Sequence, residues 1–152
     1  MQEIDFYLVD AFSDATFGGN AAAVCPLEAW LPDRTLLNMA KQHNQSETAF
    51  FVRTDGGFEL RWFTTQDEIN LCGHATLAAS HVIFEYLDYP HAEIRFSTRF
   101  VGDLTVSRSG DWLTLNFPAW STEAVDAPPP LLLSSLGIDA AKEVRVGRDD
   151  MV

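Results

Sequence analysis

"NLCGHATLAASHVIFEYL", Asn70 to Leu87, is the stretch whose reading decides the fold. Ala75, Leu77, Ala78, Ala79, Val82, Ile83, Phe84, Tyr86 and Leu87 leave a helix over 74–87 almost no polar face, and a helix that is hydrophobic all round is buried on every side. The small residues early in it let surrounding backbone approach closely, which strands do well. The helix nevertheless opens on Cys72, Gly73 and His74, where Ser, Thr, Asp or Asn would cap it better. A helix N-terminus carries unpaired N–H groups and about half a positive charge. Gly73 admits a ligand close to the backbone and His74 adds a donor, so this start reads as a small anion site for a carboxylate or phosphate. On these residues alone, the commoner reading is a tight-turn glycine and a satisfied, semi-buried histidine.

The surroundings supply the strands that such a helix needs. Ile4, Phe6 and Leu8 alternate into a first strand ending near Val9–Asp10. "FGGNAAAVCPL" gives a Gly-Gly-Asn turn and a short apolar strand. "LPDRTLLNMAKQH" reads as a helix, with Asp33 as its cap and Leu36, Leu37, Met39 and Ala40 on the inner side. "SETAFFV" and "FELRWFTT" flank the "RTDGG" turn as a hairpin. Beyond the central helix, "AEIRFST", "VGDLTVSRS" and "WLTLNFPAW" are three further strand-like runs. "DAPPPLLLSSLGI" begins a short helix that stops at Gly137, and "KEVRVGR" is a last strand-like piece. The pattern is α+β, with many short strands and one buried helix.

The chain has 152 residues, 47% hydrophobic and 21% charged, with a net charge of −12. That is the composition of a globular protein with a real core. Nothing forms a basic patch able to displace counterions from phosphates, which argues against a nucleic-acid partner. No run approaches about 18 apolar residues, so no membrane span is expected. The start "MQEIDFYLVD" lacks the features of a signal peptide. Cys25 and Cys72 make neither a disulfide framework nor a CxxC metal site, so no metal is expected and a reduced, cytoplasmic setting fits.

Three other residues merit chemical attention. Cys72 sits just outside the helix start, where a thiol can be activated; use as a small buried hydrophobe is commoner. His81, seven residues after His74, reads as a core histidine. Glu47 heads an apolar strand on the face of Ala49 and Phe51, and a carboxylate pressed against an apolar face has its charged form disfavoured, as a general acid/base requires. Taken alone, Glu47 is more often a solvent-exposed strand-end residue beside a Ser46 turn, and Gly18–Asn20 more often an ordinary hairpin turn.

In their order along the chain, "VDAF" (9–12), "FGGNAAAV" (17–24), "SETAFF" (46–51), "RWFTTQDEINLCGHATLAA" (61–79) and the strand ending "NFP" resemble the PhzF (phenazine biosynthesis-like) isomerase family. That family is similar in architecture to diaminopimelate epimerase. The resemblance implies two similar lobes, each a strand-rich, barrel-like sheet around a central buried helix. Residues 1–127 would form the first lobe, and 128–152 a linker helix and the start of a second lobe that is largely absent. It also implies cofactor-independent proton transfer on a small carboxylated substrate in the cleft between lobes. Glu47 would be the general acid/base, and Asn20, Ser46, Gly73 and His74 would hold the substrate. Cys72 matches the first catalytic cysteine of the diaminopimelate epimerases and keeps a possible minor role. The proline that commonly follows the family's "GN" is Ala21 here. In the family, the second lobe contributes a Gly-rich loop whose Asp faces the Glu, and nothing here matches it. The chain therefore reads as a fragment or shortened relative that forms a homodimer or associates with its missing half. The alternative is a non-catalytic module for small-acid binding or dimerisation.

Overall fold

The computed structural model describes residues 3–15 and 17–147. The chain divides into two compact units, Met1–Phe117 and Pro118–Val152.

In the first unit, strand β1 (Tyr7–Ala11) pairs antiparallel with β2 (Asn20–Leu27). Helix α1 (Asp33–His43) carries the chain from β2 to β3 (Thr48–Thr54), which runs parallel to it. β3 returns as β4 (Gly57–Phe63), the expected hairpin, and β5 (Glu68–Ile69) pairs with the end of β4. Helix α2 (Gly73–Tyr86) is the second crossover, leading to β6 (Glu93–Thr98) parallel to β4. β7 (Asp103–Ser109) and β8 (Trp112–Asn116) complete the sheet, in the order β1-β2-β3-β4-β6-β7-β8. Helix α2 packs against β1, β2 and β3 and also against β8. Strands from both edges of the sheet thus meet one helix, so the sheet curls.

Strand alternation divides the core between the two helices. Val24, Ala49, Phe51, Leu60, Trp62 and Phe96 pack with Ala75, Ala78, Ala79, Val82 and Ile83 of α2. Cys25, Phe50 and Phe63 pack with Leu36 and Ala40 of α1, and Leu37 and Met39 flank them. Successive strand side chains point to opposite faces, and with a helix on each face both parities are apolar. This explains why β2 and β3 read as near-continuous apolar runs.

Two expectations about the helices are corrected. Asp33 is the first residue of α1 and does not cap it; the N-cap is Pro32. The Asp33 carboxylate bonds the Arg61 guanidinium at 2.8 Å, and Arg99 lies 3.4 Å away. These contacts, the Arg61 hydrogen bond first, hold it below the usual carboxylate range. His81 is exposed, not a core histidine, and lies edge-on to the Tyr86 ring. His81 and Glu85, at i and i+4, form a narrow polar stripe late in α2, and Glu85 pairs with Arg108 at 2.8 Å. The buried hydroxyls of α2 are satisfied within the helix: Thr76 donates to the Cys72 carbonyl (2.6 Å) and Ser80 to the Thr76 carbonyl (2.7 Å), the i−4 pattern typical of such residues.

In the second unit, β9 (Glu123–Ala124) pairs antiparallel with β10 (Arg145–Val146), and α3 (Leu132–Ser135) is a single turn. The expected last strand is thus two residues long; its final residue, Arg148, lies outside the described residues. Arg145 anchors the pair by donating to the Thr122 hydroxyl at 2.6 Å and to the Thr122 carbonyl at 2.8 Å.

The turn glycine that the fold requires is Gly57. Its φ is 142°, and a Cβ there would lie 2.2 Å from the Arg95 carbonyl oxygen of β6, whereas a Cβ on Gly56 would meet nothing within 4 Å. Gly57→Ala is expected to cost about 1–3 kcal/mol from strain, and Gly56→Ala to stay within about 0.5 kcal/mol. Urea unfolding of the two variants measures this, and equal losses would show that the turn alone sets the requirement.

Candidate functional site

The parity that sorts the core also aims the site. Ala49 and Phe51 face α2, so Glu47, two residues before Ala49, turns to the same side. The Glu47 carbonyl accepts the Ala23 N–H at 3.1 Å, tying this segment to β2. Thr48 has the opposite parity; it is fully buried, with its hydroxyl 3.1 Å from Nδ1 of His43 on α1. Burial lowers the His43 pKa by disfavouring its charged form.

Across from Glu47 stands His74, the second residue of α2. Glu47 Oε2 and His74 Nε2 are 3.1 Å apart, with side chains 18% and 10% exposed. His74 is the hub of the group. Nε2 also lies 3.3 Å from Ser46 Oγ, and Nδ1 lies 3.4 Å from Cys72 Sγ. The hydroxyl of Ser46 is in turn 3.5 Å from the Ala21 carbonyl. The Glu47–His74 contact has the distance of a hydrogen bond but not its alignment. Glu47 Oε2 is buried without a hydrogen-bond partner, as is Trp62 Nε1 among the described residues. A buried acceptor left in this state costs about 1–3 kcal/mol, and such atoms recur where chemistry needs them.

No side chain caps α2 by a hydrogen bond, and its first turn holds no acid. The N-cap, Cys72, is 7% exposed. Burial is the main influence on its thiol; the Glu47 charge adds to it, the Ala75 and His74 N–H groups oppose it, and the pKa is pushed up to about 12. The helix start therefore does not activate Cys72, because loss of solvation outweighs the helix N–H groups. Glu47, Cys72 and His74 each offer a donor atom within 4.8 Å of the others.

The structure thus brings together Ser46, Glu47, Cys72 and His74. Gly73 is adjacent, and a Cβ there would touch Phe117 Cε2 at 3.4 Å, an ordinary packing contact. Its missing side chain faces Phe117, the aromatic of the "NFP" stretch, which sequence reasoning left without a role. Asn20 is exposed at the head of β2, beside Ala21. It follows a loop in which Phe12 and Phe17 are exposed and take φ of 63° and 64°, uncommon values for bulky residues. A cavity of about 520 Å³ beside Trp30, Asp33, Arg61 and Arg99 includes none of these site residues. No described helix is long and apolar enough to cross a membrane.

The family model described as phenazine biosynthesis-like protein matches residues 9–147. An uncharacterized isomerase of Pseudomonas aeruginosa is 50% identical over 143 residues, covering 94% of this chain and 54% of that protein. One from Halalkalibacterium halodurans is 42% identical over 151 residues, covering 98% of this chain and 55% of its own. A crystal structure of a PhzF-family protein from Enterococcus faecalis superposes with a TM-score of 0.86 at 39% identity, covering 97% of this chain and 55% of that one. The chain spans about half the length of the curated relatives it matches. It belongs to the phenazine biosynthesis-like (PhzC-PhzF) family.

Proposed function

We propose that this chain carries the acid/base half of a cofactor-independent isomerase that moves a proton on a small carboxylated substrate. The observation that carries the reading is the buried Glu47 Oε2, which stands 3.1 Å from His74 without an aligned hydrogen bond. A carboxylate in that position can take a proton from a substrate carbon and return it elsewhere on the same molecule. The C–H electron pair stays with the substrate as a delocalised anion until the proton comes back, so nothing is oxidised or reduced. The amides at the start of α2 favour the substrate carboxylate and the charge that develops on it. His74 and Ser46 orient Glu47 and the substrate, and Asn20 lies on the adjoining strand to hold it. The names of the relatives as isomerases support the reaction class. In this reading the curled sheet with its helix is one of two lobes, and the substrate lies in the cleft between them.

Glu47→Gln is expected to slow exchange of substrate hydrogen with solvent by about 10²–10⁴-fold, the usual contribution of a general acid/base. Proton NMR in D₂O over a panel of small amino and unsaturated carboxylic acids follows this directly. Cys72→Ala is expected to leave exchange in place, and the reverse pattern would assign the chemistry to the thiol. Acids that bind without exchanging would favour the alternative of a small-acid-binding module.

The thiols give an independent check. Cys25 and Cys72 are buried with pKa values pushed up to about 12. At neutral pH both thiols are protonated and shielded from solvent in the folded protein, so iodoacetamide is expected to modify them only after unfolding. Rapid labelling of Cys72 in the native state would contradict its place in the core.

A further inference from the structure

We infer that Cys72 is a positioning residue of this site: its thiol proton fixes the ring tautomer of His74, so that the nitrogen facing Glu47 and Ser46 carries a hydrogen. The thiol and the carboxylate lie against opposite nitrogens of one imidazole, Cys72 Sγ 3.4 Å from Nδ1 and Glu47 Oε2 3.1 Å from Nε2. The ring therefore links the two, and a proton on one side decides what the other side can offer. A neutral imidazole has one N–H and one bare nitrogen, and its neighbours determine which is which.

The Nε2 side comes first. An ionised carboxylate only accepts, so a bare Nε2 would set its lone pair against Glu47 Oε2 at 3.1 Å. Ser46 points the same way. Its hydroxyl donates to the Ala21 carbonyl at 3.5 Å, and a carbonyl can only accept. What faces Nε2 at 3.3 Å is then an oxygen lone pair of Ser46, which requires a hydrogen on the ring. With Nε2–H in place Nδ1 is bare, and Cys72 Sγ is the group that the described residues place against it. That sulfur supplies a proton only as a thiol. Burial and the Glu47 charge keep it one, and the Ala75 and His74 amides that act on the sulfur are themselves donors, which leaves its S–H for the ring.

The groups form a chain with one direction: Cys72 S–H to His74 Nδ1, His74 Nε2–H to Ser46 Oγ, and Ser46 O–H to the Ala21 carbonyl. Glu47 Oε2 lies beside Nε2–H without an aligned bond. The carboxylate thus meets a positive edge and keeps a lone pair for the substrate. That consequence rests on the reading of Glu47 given above; the tautomer itself does not.

Nitrogen-15 NMR of histidine-labelled protein at about pH 8, above the usual imidazole range, reads the tautomer without any substrate, because protonated and bare ring nitrogens resonate far apart. The chain has four histidines, and the His74 signals are identified by their loss in His74→Gln. The unsubstituted protein is expected to show Nε2 protonated and Nδ1 bare. Cys72→Ala is expected to populate the Nδ1–H tautomer, and Cys72→Ser, whose hydroxyl donates from the same place, to restore the original pattern. Should Cys72→Ala fail to fold by circular dichroism, Cys72→Val replaces it: the backbone there is extended, at φ −146° and ψ 116°, which valine adopts readily. Exchange of substrate hydrogen persists in the variant without a donor, slowed by about two- to tenfold, the contribution of one neutral hydrogen bond, and recovers in Cys72→Ser. Loss of packing alone would move neither the tautomer nor its rescue. Nδ1 protonated in the unsubstituted protein, both nitrogens protonated beside a thiolate, or a tautomer unchanged without the Cys72 donor would overturn the assignment. The expected tautomer with no exchange on any acid would count against the reading of Glu47 alone.

Discussion

The register of β3 between β2 and β4 is the constraint on which the rest depends. Its residues alternate between the α2 side and the α1 side, and both sides are packed. A slip of one residue would move Phe50 into the space of Ala49 and Phe51 and turn Glu47 away from His74. In most sheets such a slip is penalised because it exposes apolar groups to water. Here water is absent from both faces and the penalty comes from volume: one side accepts Ala49 beside α2, the other a phenylalanine beside Leu36. Interiors are close-packed, so a mismatch of that size is not absorbed. The same register that secures the core therefore fixes the direction of the one carboxylate in the site.

Helix α2 contributes the opposite end of that contact. It is short of polar side chains because sheet surrounds most of it, and those it buries, Thr76 and Ser80, bond back to its own carbonyls. A buried helix that satisfies itself along its length still has its end amides to place. The sequence leaves this end without a hydrogen-bonding cap and sets His74 and Cys72 around it. A Ser or Asp there would stabilise the helix by about 1 kcal/mol, so its absence is consistent with a helix end kept for a ligand.

On the other face, charge performs a different task. Arg61 holds Glu68 at 2.7 Å and Asp33 at 2.8 Å, and Arg99 joins both acids. The Arg61–Glu68 pair is largely buried and joins β4 to β5, whereas Asp33 and Arg99 are exposed. Exposed pairs of this kind contribute little, with a median of about 0–1 kcal/mol. Their role is geometric: they fix the first turn of α1 against β4 in place of a side-chain cap, and they hold the charges of this face in pairs.

The sequence by itself determined the elements. Apolar density along 74–87 marks a buried helix, turn residues and short apolar runs mark the strands, and the order of motifs marks the family; these are local or linear properties that a chain carries without folding. Glu47 and His74 were legible as candidates because unusual residues stood at the heads of a strand and a helix, whereas Ser46 entered only through the family resemblance. Only the tertiary structure decided which of them meet. It placed His74 between Glu47, Ser46 and Cys72, set Phe117 over Gly73, gave Asp33 to arginines instead of the helix end, and turned His81 outward. It also buried Cys72 at the helix start, in line with its commoner use as a small hydrophobe. Each of these outcomes depends on distances between residues far apart in the chain, or on solvent exclusion by the whole sheet. Neither is encoded in any single stretch.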